Sequence, residues 1–183
     1  MILLIFGLII FFAIHLVPAL PDVKQNLIER FGKMGYRGLF SILALIGLAL
    51  IIWGKGAAEF IDLYEPPKGG RHATMALVLI SFILLASFKL NSWIRKTLRH
   101  PMLLAIALWG LGHLLANGDL ASVVLFGSFF AYAVTAIVLA NAQKPAPQFD
   151  VIPRHDVIAV IAGIAIYVVV LFAHPWLIGV PVA

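Results

Sequence analysis

Apolar residues fall along the chain in six runs, Ile2 to Leu20, Gly38 to Trp53, Ala73 to Phe88, Met102 to Ala116, Leu120 to Ala140 and Val157 to Ala173, and charged residues gather between them. A helix rises ~1.5 Å per residue, so about 20 predominantly apolar residues cross the ~30 Å hydrocarbon core of a bilayer. Each run therefore reads as a transmembrane helix. The fourth is the shortest and is expected to thin the local bilayer or to borrow a turn before Pro101. The first run lacks the basic start and small-residue cleavage site of a signal peptide, so a retained helix is expected there. The predicted fold is all-α: a single integral membrane domain over residues 1–183, built as a bundle of about six spans.

The connections carry their own patterns. In "PDVKQNLIERFGKMGYR", Val23, Leu27, Phe31 and Met34 recur at helical spacing, while Lys24, Arg30 and Lys33 lie opposite and Asp22 and Gln25 have capping-box spacing. This predicts a short helix lying on the cytoplasmic leaflet after the first span. "NGD" at Asn117 to Asp119 predicts a tight turn between antiparallel helices, with Gly118 at positive φ and Asp119 capping the next helix. Gly127, Ala131 and Thr135 recur every fourth residue, a small-residue stripe suited to close helix packing. The loop "NAQKPAPQFDVIPRHD" is proline-rich and expected to be irregular.

Composition agrees with the membrane class, since 63% of residues are hydrophobic and 11% charged, far from a soluble balance. Lys and Arg set the orientation. Lys24, Arg30, Lys33, Arg37, Lys89, Arg95, Lys96, Arg99, Lys144 and Arg154 fall on one side, against Lys55, Lys68 and Arg71 on the other. By the positive-inside rule the first, third and fifth loops face the cytoplasm and both termini face the periplasm. The net charge of +5 expresses this asymmetry and attraction to anionic lipid, and gives no argument for nucleic acid. Absence of cysteine excludes thiolate sites, leaving histidine as the main possible metal ligand.

Inside the spans ionisable groups are nearly absent, which argues against a transporter or a proton relay and makes His15 and His113 functional candidates. His72, His100, His155 and His174 lie at span ends, where a wet environment accounts for them, and His100 before Pro101 suits a capping position. Either intramembrane histidine alone could serve as a hydrogen-bonded packing residue. Together, two neutral imidazoles from different helices could supply both axial ligands of a haem b iron. Trp109, Gly110 and Gly112 near His113, and Phe11 and Phe12 near His15, offer aromatic walls and space for a macrocycle.

The ordered strings "FFAIHLVPALP", "GYRGLFSILALIGLALIIWG", "PPKGGRH", "RHPMLL" and "LWGLGHLLANGDLASVVLFG" resemble the NnrU family of bacterial membrane proteins, often tied to denitrification, over about residues 1–140. That family is similar to 15-cis-zeta-carotene isomerase, a haem b membrane enzyme with two axial histidines. The resemblance places those ligands on His15 and His113, and Gly110 where the isomerase has a redox-linked cysteine. Helix direction puts the two histidines roughly 10 Å apart in depth, from ~1.5 Å of rise per residue. Depth alone would instead pair His15 with His100, or His113 with His72. Arg99 or Arg37 on one side and Arg71 on the other are the candidate propionate partners.

The resemblance implies a haem b protein of the bacterial inner membrane supporting nitrite and nitric oxide reduction, by electron transfer, nitric oxide handling or maturation of the reductases, which are then its expected partners. A haem-dependent cis–trans isomerase of a polyene and a haem-free assembly factor are the alternatives.

Overall fold

The computed structural model describes residues 1–143 and 147–179; Lys144, one of the orientation-setting charges, lies outside them. Its elements are α1 (Ile2–Leu16), a 3-10 turn (Val17–Ala19), α2 (Pro21–Gly56), α3 (Gly70–Ser87), α4 (Trp93–Leu98), α5 (Pro101–Ala116), α6 (Leu120–Gln143) and α7 (Arg154–Ile178). The expected all-helical architecture is observed, and among the described residues five helices are long and apolar enough to cross a membrane: α1 with its following turn, α2, α3, α6 and α7. The fourth predicted span, Met102 to Ala116, corresponds to α5, whose 16 residues extend about 24 Å. The chain divides into two compact units, Met1–Tyr64 with Gly118–Ser128, and Glu65–Asn117 with Phe129–Ala183.

In the first unit α1 packs along α2, and glycines set how closely. A Cβ at Gly54 would collide with the backbone of Leu4, one at Gly7 would lie 2.7 Å from Ile51 N, and one at Gly47 would lie 2.9 Å from Phe11 N. Lipid tails are as apolar as the side chains, so helices gain little by hiding from them and depend on close van der Waals contact instead.

The predicted short helix after the first span forms the beginning of α2. Gly32, at φ 72 and ψ 164, breaks α2 into an arm over residues 21–31 and a long helix from residue 33 onward. This left-handed backbone suits glycine, which has no Cβ to clash. The predicted capping box does not form: Leu20 is the N-cap, and Gln25 Nε2 donates to Glu29 Oε1 at 2.9 Å. Pro21, with φ already set for a helix, takes the first helical position, so Asp22 falls inside the first turn, where it meets the positive end of the helix dipole.

The far end of α2 is tied to the start of α6. Lys55 Nζ donates to Asp119 Oδ1 at 2.9 Å, and the same oxygen accepts from Ser122 N at 3.0 Å, so Asp119 caps α6 as its position predicts. Gly118 does not take the positive φ expected of it; among the described residues the left-handed glycines are Gly32, Gly69 and Gly179. Residues 61–64 explain the difference. Leu63 N and Tyr64 N donate to Gly118 O at 2.9 and 3.2 Å, and Leu120 N donates to Ile61 O at 2.8 Å, which draws residues 118–119 into an extended bridge.

Asp119 is buried, which alone would raise its pKa. Hydrogen bonds from Ser122 and Lys55, with the Lys55 charge, outweigh burial and hold the carboxyl below its usual range. The nearby Tyr64 phenol is pushed up by burial and by the Asp119 charge.

In the second unit α3 packs on α5 and on α7. Ser81 Oγ donates to Ala105 O at 2.7 Å across the α3–α5 contact, and a Cβ at Gly163 of α7 would lie 2.5 Å from Ile83 Cα of α3. The beginning of α7 holds the α4 segment. Asp156 accepts from Trp93 N and Ile94 N at 2.9 and 3.0 Å, and His155 Nδ1 accepts from Asn91 N at 3.1 Å. Among the described residues the small-residue stripe of α6 is not a packing seam. Gly127 would meet nothing within 4 Å of an added Cβ, and Ala131 and Thr135 are exposed, while Leu125, Phe126, Ala133 and Ala136 are buried.

Two outcomes follow from these contacts. Gly54→Val should lower the thermal midpoint of the detergent-purified protein, because the branched side chain meets backbone that cannot rotate away, a cost of about 1–3 kcal/mol; an unchanged midpoint would remove the α1–α2 contact as described. Asp119→Asn keeps a capping side chain but loses the ion pair, for about 1 kcal/mol at neutral pH. A depressed carboxylate pKa contributes stability above its unfolded value of ~3.9 and loses it as pH falls through the lower folded value. The difference between wild type and Asp119→Asn should therefore shrink between pH 7 and pH 3, read as two melting curves.

Candidate functional site

His15 and His113 occupy equivalent places on their helices. His15 lies in the last turn of α1 and His113 in the last turn of α5. His15 Nδ1 is 2.7 Å from Phe11 O, and His113 Nδ1 is 2.8 Å from Trp109 O, in both cases the carbonyl four residues back. A carbonyl only accepts, so Nδ1 carries the proton and donates in each ring. The lone pair then resides on Nε2, the atom through which an imidazole so held ligates a metal.

Aromatic rings reinforce the same orientation. The His15 ring stacks on Phe11 with centroids 4.0 Å apart and planes at 27°, and Phe40 meets it edge-on at 5.1 Å. Beside His113, the Trp109 ring lies at 4.9 Å and is itself met edge-on by Phe129 at 5.4 Å. The residue four positions before each histidine thus supplies both a carbonyl and a ring. Spacing alone put Trp109 beside His113, but the hydrogen bond to its carbonyl was not evident from residue types.

Backbone contacts fix the turns that carry these rings. In the first unit Gly47 lies against Phe11, so the residue that orients His15 is itself seated on α2. In the second unit, Thr74 Oγ1 lies 2.8 Å from Gly70 O in its own helix and 2.6 Å from Gly112 O of α5, so its single proton serves both carbonyls. Gly112 sits against Leu77 and Thr74, and a Cβ at Gly70 would strike Leu115 O. The space at Gly112, expected to admit a macrocycle, is therefore taken by α3. Gly110 is buried. Asn117 closes the turn, donating to His113 O through its backbone N at 3.0 Å and Nδ2 at 2.8 Å.

The remaining candidates sit elsewhere. His72 is exposed in the first turn of α3; at 100° per residue it points away from the face that Gly70 and Thr74 turn to α5. His100 is the N-cap residue of α5 by position but makes no side-chain cap, and its Nε2 lies 3.1 Å from Asn141 Oδ1. Arg99 takes φ 59 at the end of α4 and donates its N–H to Arg95 O at 3.1 Å, at the opposite end of α5 from His113. Among the described residues no group of three or more His, Asp or Glu could hold a metal ion. Haem iron asks less of the chain, because the macrocycle supplies four of its ligands and the protein one or two.

Along α1 runs an apolar groove of about 390 Å³, lined by Ile5, Leu8, Phe12 and Leu16 with Val124 and Ser128 of α6.

The family model described as NnrU protein matches residues 3–182. The chain belongs to the NnrU family. The match extends past residue 140, where the recognisable strings end, and takes in α7. No curated protein and no solved structure matches this NnrU-family chain.

Proposed function

We propose that this NnrU-family protein is a haem b-binding protein of the bacterial inner membrane that supports nitrogen-oxide respiration, with His15 and His113 as axial ligands. One observation carries the reading: two intramembrane histidines share a single preparation, with Nδ1–H held by the carbonyl four residues back and an aromatic ring at that same residue. Phe11 and Trp109 keep the proton on Nδ1 and fix the ring planes, so the rotamer entropy of each imidazole is lost before any ligand arrives. Haem bound there supplies a one-electron iron couple, which suits electron transfer or redox sensing on behalf of nitrite and nitric oxide reductases. In this reading α5 also spans the membrane, as the fourth of six helices, the basic loops face the cytoplasm, the arm of α2 lies on the cytoplasmic leaflet and both termini are periplasmic.

The apolar groove along α1 favours a second reading, a haem-dependent cis–trans isomerase of a polyene, because a long apolar chain could enter it laterally from the bilayer.

The test of the first reading is the absorption spectrum of the detergent-purified protein, oxidised and dithionite-reduced, after expression with ample haem. A Soret band with sharp reduced α and β bands is expected, lost in His113→Ala and in His15→Ala while both variants still insert in the membrane. A flat visible spectrum would overturn it and favour a haem-free assembly factor. The isomerase reading expects conversion of a 15-cis polyene in a carotenoid-accumulating host; haem-loaded protein that leaves the polyene unchanged would remove it.

A further inference from the structure

We propose that the bend at Gly32 is a binding surface for anionic phospholipid head groups; this rests on the cytoplasmic, leaflet-bound placement of the arm given above. The arm over residues 21–31 ends at Gly32, whose left-handed backbone turns the chain into the long helix of α2. On the two sides of the bend Phe31 is 50% and Met34 75% exposed, and Arg30, Lys33 and Arg37 beside them are exposed too. The Arg30 guanidinium lies over the Phe31 ring, 5.7 Å from its centroid, so cation and apolar surface are presented together. Glu29, which accepts from Gln25 within the arm, keeps its negative charge beside Arg30, while Asp22 lies in the arm's first turn at its far end, so the three cations at the bend outnumber the one carboxylate next to them.

Water rewards the cations but not the exposed Phe31 and Met34. An anionic leaflet accepts both, with the apolar tips at the acyl boundary and the cations at the depth of the phosphates. A cation near such a surface strengthens adsorption about fivefold, and three gathered at one bend select anionic over zwitterionic lipid. Arg30 ends the arm and Lys33 and Arg37 begin the long helix, so the three cations flank the bend at Gly32.

The chain contains no cysteine, so a label on Met34→Cys reports from one site. The full-length protein carrying an environment-sensitive fluorophore there is reconstituted in phosphatidylcholine alone and mixed with phosphatidylglycerol. Lipid retained through detergent purification is quantified for wild type, for the triple variant Arg30→Gln, Lys33→Gln, Arg37→Gln, and for the charge-keeping Arg30→Lys, Arg37→Lys. The expected result is a water-shielded label in both mixtures. Phosphatidylglycerol retention should fall at least fivefold in the neutral triple variant and stay at the wild-type level in the charge-keeping variant. A shielded label with equal phosphatidylglycerol retention in all three proteins overturns the lipid selectivity while leaving the arm on the leaflet. A label fully open to water in both mixtures overturns the placement and this inference with it.

Discussion

Close backbone approach at glycine is the constraint on which the rest of this structure depends. Helices already surrounded by hydrocarbon gain little from hiding apolar side chains, so what holds them is the density of contact they reach. Gly7, Gly47 and Gly54 let α1 lie on the backbone of α2, and Gly70 and Gly112 do the same for α3 and α5. The same contacts reach the candidate ligands. Gly47 seats Phe11, whose carbonyl holds His15, and Gly112 hands its own carbonyl to Thr74 one residue before His113.

Polar chemistry is divided by depth in a way that burial costs explain. Charged and capping groups act at helix ends: Lys55 with Asp119 at the joint of α2 and α6, and Asp156 with His155 at the joint of α4 and α7. Within the helices, Ser81 and Thr74 give their protons to carbonyls of a neighbouring helix, which removes the penalty of an unmet donor in hydrocarbon. Asp119 joins the two patterns, since one carboxylate oxygen completes both a helix cap and an ion pair and binds the extended residues 61–64 to the start of α6 only indirectly, through its place beside Gly118.

Much of the fold was legible because long apolar runs leave few alternatives to helix. The run from Leu120, the break before Pro101 and the cap at Asp119 are local properties, and local physics settled them. What could not be read depended on partners distant in sequence. Gly118 was expected in a left-handed turn because nothing in "NGD" announces that residues 61–64 will pair with it. Asp22 and Gln25 had the spacing of a capping box, but with Pro21 at the first helical position the N-cap falls on Leu20, two residues before Asp22, and the box lost its register. The stripe at Gly127, Ala131 and Thr135 fits helix packing in general, and sequence could not say that α6 buries Ala133 and Ala136 instead. For the site, composition singled out His15 and His113, whereas their shared hydrogen-bond geometry is set by side-chain rotamers that residue types do not specify.

That shared geometry also separates histidine from the other polar side chains of the helices. A serine or threonine hydroxyl in a helix can satisfy its one proton on a carbonyl and be complete as a donor, as Ser81 and Thr74 are. An imidazole that gives Nδ1–H to a carbonyl has satisfied its donor and still carries, on the opposite edge of the ring, a strong acceptor nitrogen. The carbonyl that neutralises the cost of burying the ring is also what raises the basicity of that nitrogen and points it away from its own helix. Holding the ring in place and fixing its tautomer are therefore one interaction, made at Phe11 for His15 and at Trp109 for His113.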